Sequence, residues 1–446
     1  MSGITDDQLS EDLLPGTEAL DPGETTPDAA PRKQRSLRRR ALRYTALVVA
    51  ALLIPVSISC IRALTGPGYD SAAARTVQWA RDHHMGSFVD WAERHWFDKN
   101  QAKVGGEPDP NTVGANIAGA VAVPTTVPST TAVPSPTSAP TDTGTATGLS
   151  SAVPTTSTTD GVLRRLPPPT PLTSPSPTPF RGEGRWTGFG PLIEGEPGAY
   201  ATTVRPDVEH SSISIGVVWF DPAAVRFRLF PGDNSPSRPW DRPPYVPVPD
   251  RKSLLAAFAG GFRLNESNGG MLLGGKEIRP MRVGAATFAF GLDGKPLLGN
   301  WGVEVPLNGT YDSVRQNLDL IVDDGVMNPL LETDPNNQWG FTGPNNNSFV
   351  WRSGVGILAD GAIVWVGGNG LSVVSLAKVF VRIGAARAMQ LEINREWVQL
   401  NTYTLTPEGK IFGKRLLTGM RGPDNRWLDR DTRDFVAVFG RSELQP

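Results

Sequence analysis

Residues 44 to 61, YTALVVAALLIPVSISCI, carry no charged side chain. A helix needs about 17 to 25 apolar residues to cross a bilayer core, so this run reads as one transmembrane helix and divides the chain. The preceding PRKQRSLRRRALR is dense in Arg and Lys, which by the positive-inside rule leaves a cytoplasmic tail over 1–43 and sends everything after Arg62 outside. Pro55 within the run is tolerated in a bilayer helix. A cleaved signal peptide fits poorly, because the polar region ahead of the run is long and no A-x-A site closes it. A lipoprotein signal ending at Cys60 would want an aliphatic residue where Ser57 stands. The expectation is an uncleaved single-pass anchor over 44–62, with the C-terminal part extracellular.

Composition removes several function classes. The 446 residues carry a net charge of -2, with 20% charged residues. No Arg/Lys stripe interleaved with aromatics marks a nucleic-acid partner. Cys60 is the one cysteine, and of the four histidines only His210 lies in the C-terminal stretch from 183 to 446. A disulfide framework, a cysteine zinc site and a histidine-rich metal site are therefore unavailable there. The cofactor is unknown; a divalent cation stays open, but no ligand spacing indicates one.

Beyond the anchor, residues 63–104 form a juxtamembrane segment. In it Val77, Trp79, Met85, Phe88, Val89, Trp91, Trp96 and Phe97 recur at roughly helical spacing. This pattern predicts one or two amphipathic helices, whose tryptophans suit a bilayer interface, self-packing or a membrane partner. Residues 105–182 turn to Pro, Thr, Ser, Ala and Gly, a composition expected to give a disordered stalk. Its stretched limit would be on the order of 200 Å. From 183 to 446, short apolar runs punctuated by glycine read as strands, with LSVVSLAKVFVRIG as a helix that Ser372 starts and Gly384 stops. The expected fold class is α+β or α/β, a mixed β-sheet domain with few helices.

Three stretches in this domain place residues suited to chemistry. In AMQLEINREW, alternation puts Met389, Leu391 and Ile393 on one face and Ala388, Gln390, Glu392 and Asn394 on the other. Glu392 is then either a working acid at a strand end or a solvated residue on a sheet face. In WRSGVGILADGAIVWVGGNG, Arg352 precedes a glycine-spaced strand and offers a fork to a phosphate or carboxylate, or else a surface salt bridge. The Asp360-Gly361 pair reads as a two-residue hairpin turn, and VDDG and LDG read as turns. In FAGGFRLNESNGGMLLGG, Gly260 and Gly261 permit close backbone approach, with Arg263, Arg279 and Arg282 adding positive charge nearby.

Taken together, AGGF at 259–262, RSGVG at 352–356, the helix segment at 369–385 and LEIN at 391–394 resemble the phosphodiester glycosidase family. The likeness is closer to a membrane-anchored actinobacterial branch, through WRSGVG, VRQNL at 314–318 and LEINREW at 391–397. Two positions depart from the family pattern: Ala259 stands for Asn, and Glu392 for Asp without the Gly-Gly-Gly-Ser that follows. The resemblance implies hydrolysis of a sugar 1-phosphodiester in a cell-wall polymer or glycolipid. Glu392 and Arg352 would be catalytic, with Gly260, Gly261, Arg282, Ser353 and Asn394 binding substrate. A carboxylate suits the cationic sugar of such a reaction, and a guanidinium suits the phosphate. The alternatives are an inactive glycan-binding module of the envelope and a scaffold for a membrane partner.

Overall fold

The structure, a computed structural model, describes residues 32–66, 68–99, 102–121, 164–236, 240–333, 339 and 348–441. The chain divides between Arg62 and Ala63 into two compact units. The first holds most of helix α1 (Arg32–Leu64), of which Arg39–Leu64 is long and apolar enough to cross a membrane. The second begins with α2 (Ala72–Asp82) and α3 (Gly86–Lys99). Among the described residues three further helices follow: α4 (Leu264–Ser267), α5 (Leu330–Thr333) and α6 (Val373–Ile383). Two helices, α2 and α3, lie over the stretch read as one or two helices; α2 buries Ala74 and Ala80, while Phe88 and Trp91 of α3 stay exposed.

The strands run β1 (Ala120–Val121), β2 (Thr187–Ile193), β3 (Glu196–Val204), β4 (Ile215–Phe220), β5 (Val225–Phe230), β6 (Leu254–Ala259) and β7 (Met271–Leu273). Then come β8 (Lys276–Arg279), β9 (Ala286–Gly291), β10 (Pro296–Asn300), β11 (Tyr311–Gln316), β12 (Leu320–Asp323) and β13 (Val326–Met327). The last are β14 (Val350–Leu358), β15 (Ile363–Leu371), β16 (Ala385–Gln390), β17 (Leu400–Leu405), β18 (Ile411–Arg415) and β19 (Phe435–Gly440). They form a nine-stranded sheet, β1-β2-β3-β4-β15-β14-β16-β12-β13, and two five-stranded sheets, β10-β9-β11-β7-β8 and β18-β17-β6-β19-β5. Every ladder in them is antiparallel. Of the two expected classes this selects α+β: sheets built without parallel crossovers, and few helices.

One face of the large sheet packs on both smaller sheets through residues such as Val218, Phe258, Phe288, Val355, Met389 and Val436. Its other face is covered by α6, against which Val217, Val364, Val366 and Ala388 pack. Helix α6 forms where the apolar positions demand it: Val373, Leu376, Ala377 and Phe380 make one buried stripe at helical spacing. Ser372 and Ser375 close a capping box, and Gly384 ends the helix at φ 87°.

Three sequence expectations need correction. The 105–182 stretch is not a free stalk at its ends. Gly105 N donates to Glu209 O, β1 pairs with β2, and Arg165 bonds Asp221, so 102–121 and 164–182 belong to the folded unit. The remainder, 122–163, lies outside the described residues. Asp360-Gly361 sits in a wider hairpin, since Leu358 N donates to Ala362 O. Finally, β16 is buried on both faces, because Met389 and Leu391 enter one core and Ala388 the other. Ile393 packs on the α6 side, so the alternation breaks at Glu392.

Candidate active site

Glu392 stands two residues beyond β16, held by the ladder to β14. Ser353 N donates to Glu392 O at 2.9 Å and Leu391 N to Ser353 O at 2.8 Å. Glu392 N reaches Ser353 Oγ at 3.3 Å. Its side chain is not solvated, with only 2% of the residue exposed. Oε1 accepts from Arg433 Nη2 at 2.9 Å, and the same nitrogen donates to Gly261 O at 3.0 Å. The Arg433 guanidinium lies 4.5 Å from the centroid of the Trp397 ring. Its Nε is buried and donates to no protein group among the described residues.

Burial pushes the Glu392 carboxyl up to about 8. Arg433 opposes this, while Glu266 and Asp434 add to the rise and Arg315 opposes it weakly. A bond to Arg433 and a raised carboxyl pull in opposite directions, and burial prevails on physical grounds. Among the described residues Arg433 is the cation paired with Glu392, its charge is shared with a carbonyl and a ring, and Arg315 is already committed to Asp434 at 2.8 Å. At neutral pH Glu392 is therefore mostly a neutral acid with a guanidinium against it.

A buried polar network carries this pair. Asn317 Nδ2 donates to Gln390 O at 2.6 Å and to Leu391 O at 3.0 Å. Its Oδ1 accepts from Phe262 N at 3.2 Å. Asn317 thus joins the loop after β6 to the end of β16. Gly260 is glycine for a steric reason: a Cβ there would stand 2.2 Å from Asp434 Oδ2. Gly261 takes φ 136°, and a Cβ on it would press on Asn317 at 3.1 Å. Both glycines thereby let the Arg315–Asp434 pair and Asn317 close up beneath Glu392.

The structure brings together only part of the expected constellation. Glu392, Ser353, Gly260 and Gly261 converge. Arg352 points to the other layer, where Nε donates to Leu371 O at 2.9 Å and Nη1 to Gln390 Oε1 at 2.7 Å. Burial lowers Arg352 to about 9, so it stays cationic at neutral pH. Arg282 bonds Asp319 at 2.9 Å and is partly exposed. Asn394 accepts from Glu396 N at 2.9 Å, ordering the turn that carries Trp397. Sequence reasoning missed Arg433, Asp434, Arg315, Asn317 and Trp397. The available signal was polar residues adjoining or interrupting apolar strands: RDTRD just before FVAVFG, and RQN ending β11.

Among the described residues no group of three His, Cys, Asp or Glu side chains is arranged to hold a metal ion. No family model and no curated protein matches the chain. Among solved structures, the chain is similar to the catalytic domain of zebrafish N-acetylglucosamine-1-phosphodiester alpha-N-acetylglucosaminidase auto-inhibited by its pro-peptide. That likeness has 13% identity and a TM-score of 0.38, over 60% of this chain and 87% of that one. A hypothetical protein from Synechocystis is similar at 12% identity and a TM-score of 0.30, over 57% of this chain and 62% of that one. Both likenesses are weak and concern the fold.

Proposed function

We propose that this is a membrane-anchored, extracytoplasmic hydrolase that cleaves a sugar 1-phosphodiester of the cell envelope. The observation that carries the reading is the buried Glu392–Arg433 couple. It combines a carboxyl raised to about 8 with a guanidinium whose Nε has no protein acceptor among the described residues. A carboxyl titrating near neutrality suits proton transfer, and a buried fork donor suits a phosphate oxygen. The motif resemblance in the sequence points to the same reaction class.

In this scheme Arg433 binds the phosphate and stabilises charge growing on its oxygens. As the bond from sugar C1 to the phosphate oxygen breaks, protonated Glu392 gives its proton to that oxygen, and the lost electron pair leaves with the phosphate monoester. Water then bonds to C1 through its oxygen and returns one proton to Glu392. The products are the free sugar and the phosphate monoester. Arg352 stands behind the site as a positioning residue, tying Gln390 to Leu371 O. Ser353 and Asn317 fix the backbone on which Glu392 rides.

The test is release of free sugar from a panel of sugar 1-phosphodiesters by the full-length protein, Glu392→Gln and Arg433→Ala. The expected loss is about 100-fold or more in each, because both side chains act on the reacting phosphodiester. Turnover should also fall as pH rises through about 8, the value to which the carboxyl is raised. Undiminished turnover in both folded variants would sink the assignment. A glycan-binding module is the second reading, motivated by Ala259 in place of Asn and by the Gly-Gly-Gly-Ser that does not follow Glu392. Saturable binding of envelope fragments without turnover would select it.

A further inference from the structure

We propose that the Glu392 site draws its substrate from the surface of the membrane that α1 spans. The substrate class is a lipid-linked sugar 1-phosphate: one phosphate ester carries the sugar and the other a membrane-embedded hydrocarbon. The chemistry rests on the hydrolase reading above; the place rests on how the juxtamembrane chain is seated.

That chain docks on the two stretches that build the site. Tyr69 Oη donates to Asp429 Oδ2 at 3.1 Å. Asp70 Oδ1 accepts from Trp397 Nε1 at 2.8 Å, and its Oδ2 accepts from Thr432 Oγ1 at 2.6 Å. Ser71 donates through N and Oγ to Glu396 at 3.1 and 3.0 Å, while its Oγ also caps α2. Trp397 lies against Arg433, which holds Glu392. Three contacts therefore lead from Asp70 to the carboxyl.

Covalent connectivity turns this seating into a distance. Leu64 ends α1, and the six residues from there to Asp70 span roughly 20 Å at most when fully extended. The Pro/Thr-rich segment follows this junction in the chain and adds nothing to its reach. A stalked site would sweep the envelope on the order of 50 to 200 Å from the bilayer; this one is held near the headgroups. A substrate anchored in the same bilayer then meets it at the high effective concentration of a tethered pair, whereas a distant polymer does not.

A groove of about 460 Å³ opens at the same junction, lined by Gly68, Tyr69, Tyr245, Arg251 and Arg430 among others. Its two guanidiniums suit an anionic phosphate headgroup, although Asp429 also lines it and Arg430 is paired with Asp233. The groove adjoins the 429–434 stretch that supplies Arg433.

The experiment uses the full-length protein in lipid nanodiscs with matched pairs of N-acetylglucosamine 1-phosphate and glucose 1-phosphate esters. One member of each pair carries a polyprenyl chain and the other a soluble four-carbon chain. Binding is read with non-hydrolysable phosphonate versions, so that it stays independent of turnover. The expected result is at least a tenfold preference for the bilayer-borne member in both binding and turnover. A 30-residue Gly/Ser insertion between Leu64 and Thr65, ahead of the Tyr69, Asp70 and Ser71 contacts, should cut that preference several-fold and leave the soluble member unaffected. Equal handling of the two members, or a preference indifferent to the insertion, overturns the substrate class even where hydrolysis is seen. Selective binding of the bilayer-borne member without turnover overturns the hydrolase reading and keeps the substrate class. No binding of either member overturns both.

Discussion

Glu392 makes its burial measurable through pH. Its carboxyl rises from an ordinary 4.5 to about 8 on folding, so between those values the folded chain holds a proton that the unfolded chain has released. Stability from this group is fully present below about pH 4.5 and is lost as pH rises through about 8. The loss is on the order of a few kcal/mol, since a tenfold change in proton affinity is worth about 1.4 kcal/mol. Thermal unfolding of the detergent-solubilised protein should show a midpoint falling from pH 5 to pH 9. Glu392→Gln should flatten that slope, because the amide has no proton to lose. A slope of the same size in the variant would assign the pH dependence to other groups. Arg433 belongs to the same account: removing it leaves Glu392 buried beside Asp434 and Glu266, and the carboxyl would rise further.

At the scale of elements, the site depends on three segments meeting: the loop after β6, the end of β11 and the end of β16. Asn317 makes the junction with three hydrogen bonds to backbone groups of the other two. Asn317→Ala leaves two carbonyls and one N–H without that partner in a buried setting, at a cost of about 2 to 4 kcal/mol. The measurement is the unfolding midpoint, with a double-mutant cycle against Glu392→Gln; additive losses would mean that the two sites are not coupled. The same elements show what sequence discloses. Helix α6 was legible because its cap, its apolar stripe and its glycine stop are all local. The glycines of RSGVG were visible, but their reason is tertiary. A Cβ at Gly354 or Gly356 would meet the Phe380 ring at 2.8 or 2.9 Å, so these glycines admit α6 onto β14. Glu392 stood out as a lone carboxylate in an apolar run. Arg433 did not, since its partner lies 41 residues away and RDTRD reads as a solvated charge run.

On the scale of the whole molecule, both described flanks of the Pro/Thr-rich segment are pinned to one unit. Residues 102–121 are held by bonds such as Ala118 N to Thr402 Oγ1 at 2.8 Å. Arg205 binds Glu107 and Glu183 from opposite sides of the segment. The juxtamembrane chain adds Asp70, Ser71 and the buried Ala74. Composition alone reads 105–182 as a stalk, because low apolar content is a local property while the docking partners lie tens to hundreds of residues away. The two architectures separate cleanly under a single cut. A protease site engineered within 122–163 would release the C-terminal domain from the membrane if the segment were a stalk. With residues 63–121 folded into the same unit as 164–441, the cut fragment should remain with the membrane fraction and come off only under denaturant. Release of a soluble domain on cleavage in native buffer would return the stalk, and with it a site free to range away from the membrane.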